Sequence, residues 1–175
     1  SPSVPSGNWP RVEGLSRPDP ARGLHTSDTV MRLPELPARM LVVGGGFISA
    51  EMAHVFSSFG SEVVVSARGE VLLRHLDEDI STAFTTAARE QWDVRTGTVV
   101  TDLRRDEEGI TATLSDGSEV VTDVVLVAAG RHPSSASLDP AAGGVDVRDD
   151  DRVVVDEHGR TSAEGVWALG DVSSP

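Results

Sequence analysis

Four consecutive apolar residues, Met40-Leu41-Val42-Val43, run directly into three glycines, Gly44-Gly45-Gly46, and no other stretch narrows the folding choices as much. Such an apolar run suits a strand buried on both faces, the form taken by inner strands of a parallel sheet. Beyond the glycines, Ile48, Met52, Val55, Phe56 and Phe59 fall at offsets of 4, 7, 8 and 11, which is one face of a helix. Gly60 stands where a C-terminal cap belongs. Glu62 to Ala67 is short and β-branched, a second parallel strand. The sum is a βαβ unit. The expected fold class is therefore α/β, with a Rossmann-like parallel sheet.

The remainder of the chain extends this plan. Asp77 is a good N-cap for a helix that runs through Ile80, Phe84, Ala87 and Ala88 to Trp92. Val99–Leu103, Ile110–Leu114 and Glu119–Val121 are short strands, the last two separated by the hairpin signal Asp116-Gly117, and predict a small antiparallel meander. Val124–Ala129 is again a fully apolar strand, ending at Gly130. At the other end, Pro2, Pro5, Pro10, Pro18 and Pro20 make Ser1–Arg22 an irregular connector. The acidic stretch Asp146–Asp156 lacks the ligand spacing and central glycine of a calcium loop, so it reads as a solvated loop and no metal site is expected.

Composition excludes several function classes. The net charge is −13, and all fifteen basic residues are arginine. A chain so acidic repels a phosphate backbone and an anionic leaflet alike, so neither nucleic acid nor membrane is expected as a partner. Any anionic ligand must be held by a local cluster of donors. There is no cysteine, which removes thiol catalysis and thiolate metal sites from this chain. No apolar run is long enough to span a bilayer and no signal peptide is evident, so a cytoplasmic location is expected. The start at Ser1 fits an excised fragment or a processed chain.

The glycine loop carries the chemistry. Gly44-Gly45-Gly46-Phe47-Ile48-Ser49 lies between a buried strand and an amphipathic helix, the context in which a Gly-rich loop holds a dinucleotide pyrophosphate at the helix N-terminus. The first glycine allows the tight turn and the second lets the backbone approach the phosphates. Ser49 keeps the third position small. A loop that merely packs is the plain alternative. At the end of the second strand Ser66-Ala67-Arg68 carries no acid to bond a ribose 2′-hydroxyl, and Arg74 follows six residues later. Arginine accommodates a 2′-phosphate, so NADP is favoured over NAD, with two ordinary surface arginines as the alternative. His75 and His132 read as polar neighbours of a phosphate or a turn rather than as bases, since neither has an evident orienting partner. No catalytic residue is assigned within the chain.

Gly44 to Glu51, the pair Arg68 and Arg74, and Ala129-Gly130-Arg131-His132-Pro133 resemble the NADPH domain of the pyridine nucleotide–disulfide reductases. Ala168-Leu169-Gly170-Asp171 resembles that family's second FAD motif, and the likeness covers about Leu24 to Pro175. The resemblance implies a domain inserted within an FAD domain: residues 1–36 the outgoing connector, 37–156 the NADPH-binding domain, and 157–175 the return connector. It further implies roles by position. Gly44 and Gly46 would face the pyrophosphate, with Ile48 and Ser49 completing the loop, and Arg68 and Arg74 would hold the 2′-phosphate. Phe47 would gate the nicotinamide pocket, Glu51 would lie near the flavin, and Gly130 would pass the nicotinamide end. Asp171 would bind the ribityl chain of FAD. The partners implied are the remaining FAD and dimerisation domains of a homodimer and a disulfide substrate such as mycothione. The family's first FAD loop, its redox-active cysteine pair and its acid–base histidine have no counterpart here, so the chain alone is expected to be inactive. An NADP(H)-sensing module, or the NAD(P)H domain of a flavoprotein reductase serving iron–sulfur proteins, would share much of this pattern.

Overall fold

The computed structural model describes residues 19–130, 133 and 135–174. They fall into two compact units divided after Gly130. In the first, β1 (Leu24–His25), a one-turn helix α1 (Ser27–Val30), β2 (Arg39–Val43), α2 (Phe47–Ser58), β3 (Glu62–Ala67), α3 (Glu78–Arg89) and β4 (Asp93–Thr96) come in sequence. A three-stranded insert follows, β5 (Val100–Arg105), β6 (Ile110–Leu114) and β7 (Glu119–Thr122), and then β8 (Val124–Val127) returns to the main sheet. That sheet is all parallel, in the order β1-β8-β2-β3-β4. The insert is an antiparallel meander, β5-β6-β7. The fold is the Rossmann-like α/β class expected.

The apolar run of β2 has a direct structural cause. Met40 and Val42 join a core with Ala53 and Phe56 of α2 and Ala88 of α3, while Leu41 and Val43 join a second core with Leu103, Ile110, Ala112 and Leu114 of the meander. Alternate residues of a strand point to opposite faces, so a strand sandwiched between helices and a second sheet must be apolar at every position. Register is fixed accordingly, with Val42 opposite Val65 on one side and Leu126 on the other.

Helix faces differ from the expected ones by a residue. In α2 the buried positions are Ser49, Ala53 and Phe56, while Phe59 is 73% exposed beyond the helix end. Small side chains at Ser49 and Ala53 let the helix lie close to the sheet, which a periodicity of large apolar residues does not register. In α3 the buried set is Ser81, Thr85 and Ala88, and Ile80 is exposed. Asp77 caps α3 as expected, accepting from the Asp79 N–H at 3.0 Å, and Glu78, Asp79 and the terminal Arg89 complement the helix dipole. Three segments depart from the predicted elements. β4 is too polar to announce itself, being an edge strand paired on one side only. β1 lies just beyond the proline-rich opening segment and pairs with β8. β8 ends at Val127, two residues short of the apolar run.

The second unit is built largely from turns. Val153–Val154 (β9) pairs in parallel with Ser173–Ser174 (β10), and short 3-10 turns occupy Ser135–Leu138, Pro140–Gly143 and Gly170–Val172. The Asp156 carboxylate accepts from the N–H groups of Arg160 and His158, which holds its pKa below the ordinary value. Among the described residues no helix is long and apolar enough to cross a membrane.

Candidate dinucleotide site

The glycine loop lies at the C-terminal ends of β2 and β3, where open parallel sheets bind ligands. Gly44 leaves β2 with φ of +137°, and its N–H donates to the Ser66 carbonyl at 2.9 Å. A Cβ at Gly44 would sit 2.4 Å from the Ala128 oxygen, so the turn is possible only for glycine. Ser49, 1% exposed, sits beneath this turn and donates from Oγ to the same Ala128 carbonyl at 3.4 Å. Its small side chain does what the third glycine of the motif does, allowing strand and helix to approach.

The outer side of the loop is open. A Cβ at Gly46 would meet only Nε2 of His75, at 4.0 Å. Gly46 is the N-cap of α2 and supplies no side-chain cap. Among the described residues no acceptor takes the N–H of Gly45 or of Gly46. Unpaired N–H groups at a helix start, with the positive end of the helix dipole behind them, form a cradle for an anion. Phe47 is 51% exposed in the first turn, its ring centroid 6.0 Å from that of His75, and Ile48 is half-buried. Glu51 is exposed one turn further along α2.

The loop after β3 supplies the positive charge. Arg68 and Arg74 are both exposed, and neither makes an ion pair or a hydrogen bond among the described residues. The Arg74 stem passes over Gly69, its Cδ 3.6 Å from where a Cβ would stand. Glu70, the nearest acid, lies against Gly97 instead, with Oε1 3.3 Å from the corresponding point. In a chain of charge −13, two guanidinium groups without carboxylate partners beside an anion cradle are conspicuous. Arg39 pairs with Asp123 at 2.5 Å, Arg95 with Asp93 at 2.9 Å and Arg152 with Asp150 at 2.8 Å, whereas Arg22, Arg32 and Arg104 are exposed without an ion pair among the described residues, so it is the position of Arg68 and Arg74 beside the glycine loop that sets them apart.

Gly44, Gly46, Phe47, Ile48, Ser49, Glu51, Arg68 and Arg74 thus share one unit and one end of the sheet. Gly130 closes that unit with φ of +143°. Asp171 belongs to the second unit, exposed on the 3-10 turn Gly170–Val172. Arg131 and His132 lie outside the described residues, as does the segment before Asp19. What periodicity missed is the support of the arginine loop: the Leu73 N–H donates to the Gly45 carbonyl at 2.7 Å, and Ser81 and Thr85 of α3 bond the main chain of Leu73 and Leu72. The four-residue spacing of Ser81 and Thr85, with Ala88 next in line, was the available signal.

Residues 6–175 match the family model described as pyridine nucleotide-disulphide oxidoreductase. The chain belongs to this family. Over 151 residues it is 51% identical to mycothione reductase of Mycobacterium tuberculosis, an alignment covering 86% of this chain and 33% of that enzyme. The chain therefore spans about a third of the length of the curated relatives it matches. The HOCl-induced flavoprotein disulfide reductase RclA of Escherichia coli superposes with a TM-score of 0.84 at 31% identity, covering 94% of this chain and 37% of that one. An engineered water-forming NADPH oxidase bound to NADPH superposes with a TM-score of 0.75 at 25% identity, over 96% of this chain and 38% of that one. In that oxidase an aspartate is replaced by alanine and the next residue by arginine, and a second arginine is installed six residues after the first. A glycine eighteen residues before the new alanine is also replaced by alanine. The pyridine nucleotide–disulphide oxidoreductases are FAD-dependent enzymes that use a pyridine nucleotide.

Proposed function

We propose that this chain is the NADPH-binding domain of a flavin-dependent disulfide reductase whose substrate is mycothione. One observation carries the choice of nucleotide: Arg68 and Arg74, both unpaired among the described residues, stand beside the open glycine loop. Their spacing supports it. Ala67, Arg68 and Arg74 repeat the alanine, arginine and second arginine of the engineered NADPH oxidase, and Ser49 stands eighteen residues before Ala67. The choice of mycothione is supported by the 51% identity to mycothione reductase.

In this reading residues 37–156 are the nucleotide domain, flanked by connectors 1–36 and 157–175 from an FAD domain. The cradle fits the proposed ligand. Gly44, its N–H already given to the Ser66 carbonyl, makes the turn that faces the pyrophosphate together with Gly46, and the free N–H groups of Gly45 and Gly46 at the α2 N-terminus donate to it, with Ile48 and Ser49 seating the helix against the sheet. Arg68 and Arg74 take the 2′-phosphate. Phe47 covers the nicotinamide pocket and limits water there, Glu51 faces the flavin side, and Gly130 passes the nicotinamide without a side chain. Asp171 holds the ribityl chain of FAD. When bound, NADPH would supply a hydride to FAD, and the two electrons so stored would reduce the disulfide to a dithiol. The task of this chain is geometric, to present the nicotinamide in a productive pose. With no cysteine in the chain, the dithiol comes from another part of a homodimeric parent.

Calorimetric titration of the chain, Arg68→Ala and Arg74→Ala with NADPH and NADH is the test. A charge-assisted hydrogen bond contributes about 1.5–3 kcal/mol, less where solvent screens it, so each variant should lose roughly ten-fold in NADPH affinity and keep its NADH affinity. A wild type that prefers NADH, or variants that keep the wild-type preference, would overturn the assignment.

A further inference from the structure

We infer that Ser81 and Thr85 of α3 are positioning residues for nucleotide selection, acting through the main chain of the loop that carries Arg74. The inference rests on the NADPH reading above and deepens it.

The loop is held in a conformation it would not adopt unaided. Leu73 has φ of +53°, in the left-handed region disfavoured for a branched side chain. Such a residue persists only where its surroundings over-determine it. Here they do so from two directions. From the nucleotide side, the Gly45 carbonyl accepts from the Leu73 N–H at 2.7 Å. From the helix side, Ser81 Oγ donates to the Leu73 carbonyl at 2.9 Å, and Thr85 Oγ1 accepts from the Leu72 N–H at 2.9 Å. Thr85 in turn donates to the Ser81 carbonyl at 2.7 Å, so both hydroxyl protons are committed. The two side chains are 1% and 2% exposed, and those of Leu72 and Leu73 are buried with them. The Leu76 N–H closes the turn onto the Leu73 carbonyl at 2.9 Å.

The consequence is a continuous hydrogen-bonded path from α3 to the glycine loop, through Leu72, Leu73 and Gly45. Arg74 and His75 project from the next two positions, exposed, with no hydrogen bond of their own among the described residues to fix them. Their placement relative to the cradle is therefore set by the backbone beneath them. Hydroxyls at these α3 positions do what apolar residues of equal size could not: Thr85 satisfies the buried Leu72 N–H, and Ser81 gives the Leu73 carbonyl a second donor beside the Leu76 N–H, tying that turn to α3.

The test compares Ser81→Ala, Thr85→Val and Thr85→Ser with wild type and Arg74→Ala, titrating NADPH and NADH by calorimetry and following thermal unfolding in parallel. Ser61→Ala is the matched control: it also removes a buried hydroxyl, one bonded to the Pro37 carbonyl at 2.6 Å before β3, away from the glycine loop. Ser81→Ala and Thr85→Val should weaken NADPH by about three- to ten-fold and NADH by less than about two-fold, and lessen the salt dependence of NADPH binding. Thr85→Ser should restore the wild-type ratio, and Ser61→Ala should lower the melting temperature without moving that ratio. If Arg74→Ala removes the preference while Ser81→Ala and Thr85→Val both retain it, the positioning role is overturned and the NADPH reading stands. If wild type itself shows no preference, the NADPH reading fails and the inference falls with it. Should one variant not fold, the other decides.

Discussion

Replacing Gly44 by alanine tests the architecture of the glycine loop at its tightest point. The new Cβ would lie 2.4 Å from the Ala128 oxygen and 2.7 Å from both the Ala128 carbonyl carbon and Ser49 Oγ. None of these atoms can easily retreat. Ala128 donates to the Val43 carbonyl at 2.8 Å, and Gly44 itself donates to Ser66 at 2.9 Å, so both flanking strands would have to part. Two costs add. Holding a residue with a Cβ at φ of +137° costs about 1–3 kcal/mol, and forcing volume into a close-packed site costs about 1–3 kcal/mol more. Gly60→Ala separates them, because Gly60 has φ of +106° but nothing within 4 Å of its Cβ position. It should show the conformational cost alone. With roughly 4 kcal/mol lost and a urea slope of about 2 kcal/mol/M, the Gly44→Ala midpoint should fall by about 2 M, and that of Gly60→Ala by about half as much. Urea unfolding followed by circular dichroism measures both. Equal losses at the two positions would refute the steric argument, and a Gly44→Ala protein as stable as wild type would refute the loop geometry itself.

Other outcomes follow from the same contacts. Leu72→Ala should cost about 2–5 kcal/mol in urea unfolding, because Leu72 is 1% exposed in the core under the arginine loop. The Asp123 carboxyl is held below its ordinary pKa by its hydrogen bond and charge pairing with Arg39. Its stabilising contribution is therefore complete above the unfolded value of about 4 and lost as pH falls through the lower folded value, so Asp123→Asn should flatten the acid limb of a stability–pH profile. An unchanged acid limb would mean that the pair contributes nothing. NADPH affinity should fall as salt rises while NADH affinity changes less, measured by titration at two ionic strengths, since the arginine contacts are exposed. The chain alone, lacking cysteine, should not oxidise NADPH in the presence of mycothione, read from NADPH absorbance over time.

The βαβ unit and the meander were legible because their cause is local. Met40–Val43 is apolar at every position, Asp77 offers a cap, and Asp116-Gly117 turns with Ser118 donating twice to the Asp116 carboxylate. β1 and β4 were not legible. Leu24-His25 is two residues long and Asp93–Thr96 is polar, and each is a strand only because a neighbour, β8 or β3, offers a free edge. The glycine loop, Arg68 and Arg74 could be picked out by type and spacing, since a tight turn demands glycine and a phosphate favours arginine.

The sequence by itself determined which residues could carry the chemistry and the periodicities that select an α/β sheet. Only the tertiary structure decided that Glu70 lies against Gly97, that Arg68 and Arg74 lack carboxylate partners among the described residues, and that α3 turns Ser81 and Thr85 inward rather than Ile80. The physical reason is that the spacing of apolar residues marks only where apolar area can be buried, whereas the α3 contact is made by hydroxyls satisfying main-chain groups of a segment eight to thirteen residues away in sequence. That demand exists only once Leu72 and Leu73 have been buried, and their burial is a property of the assembled fold.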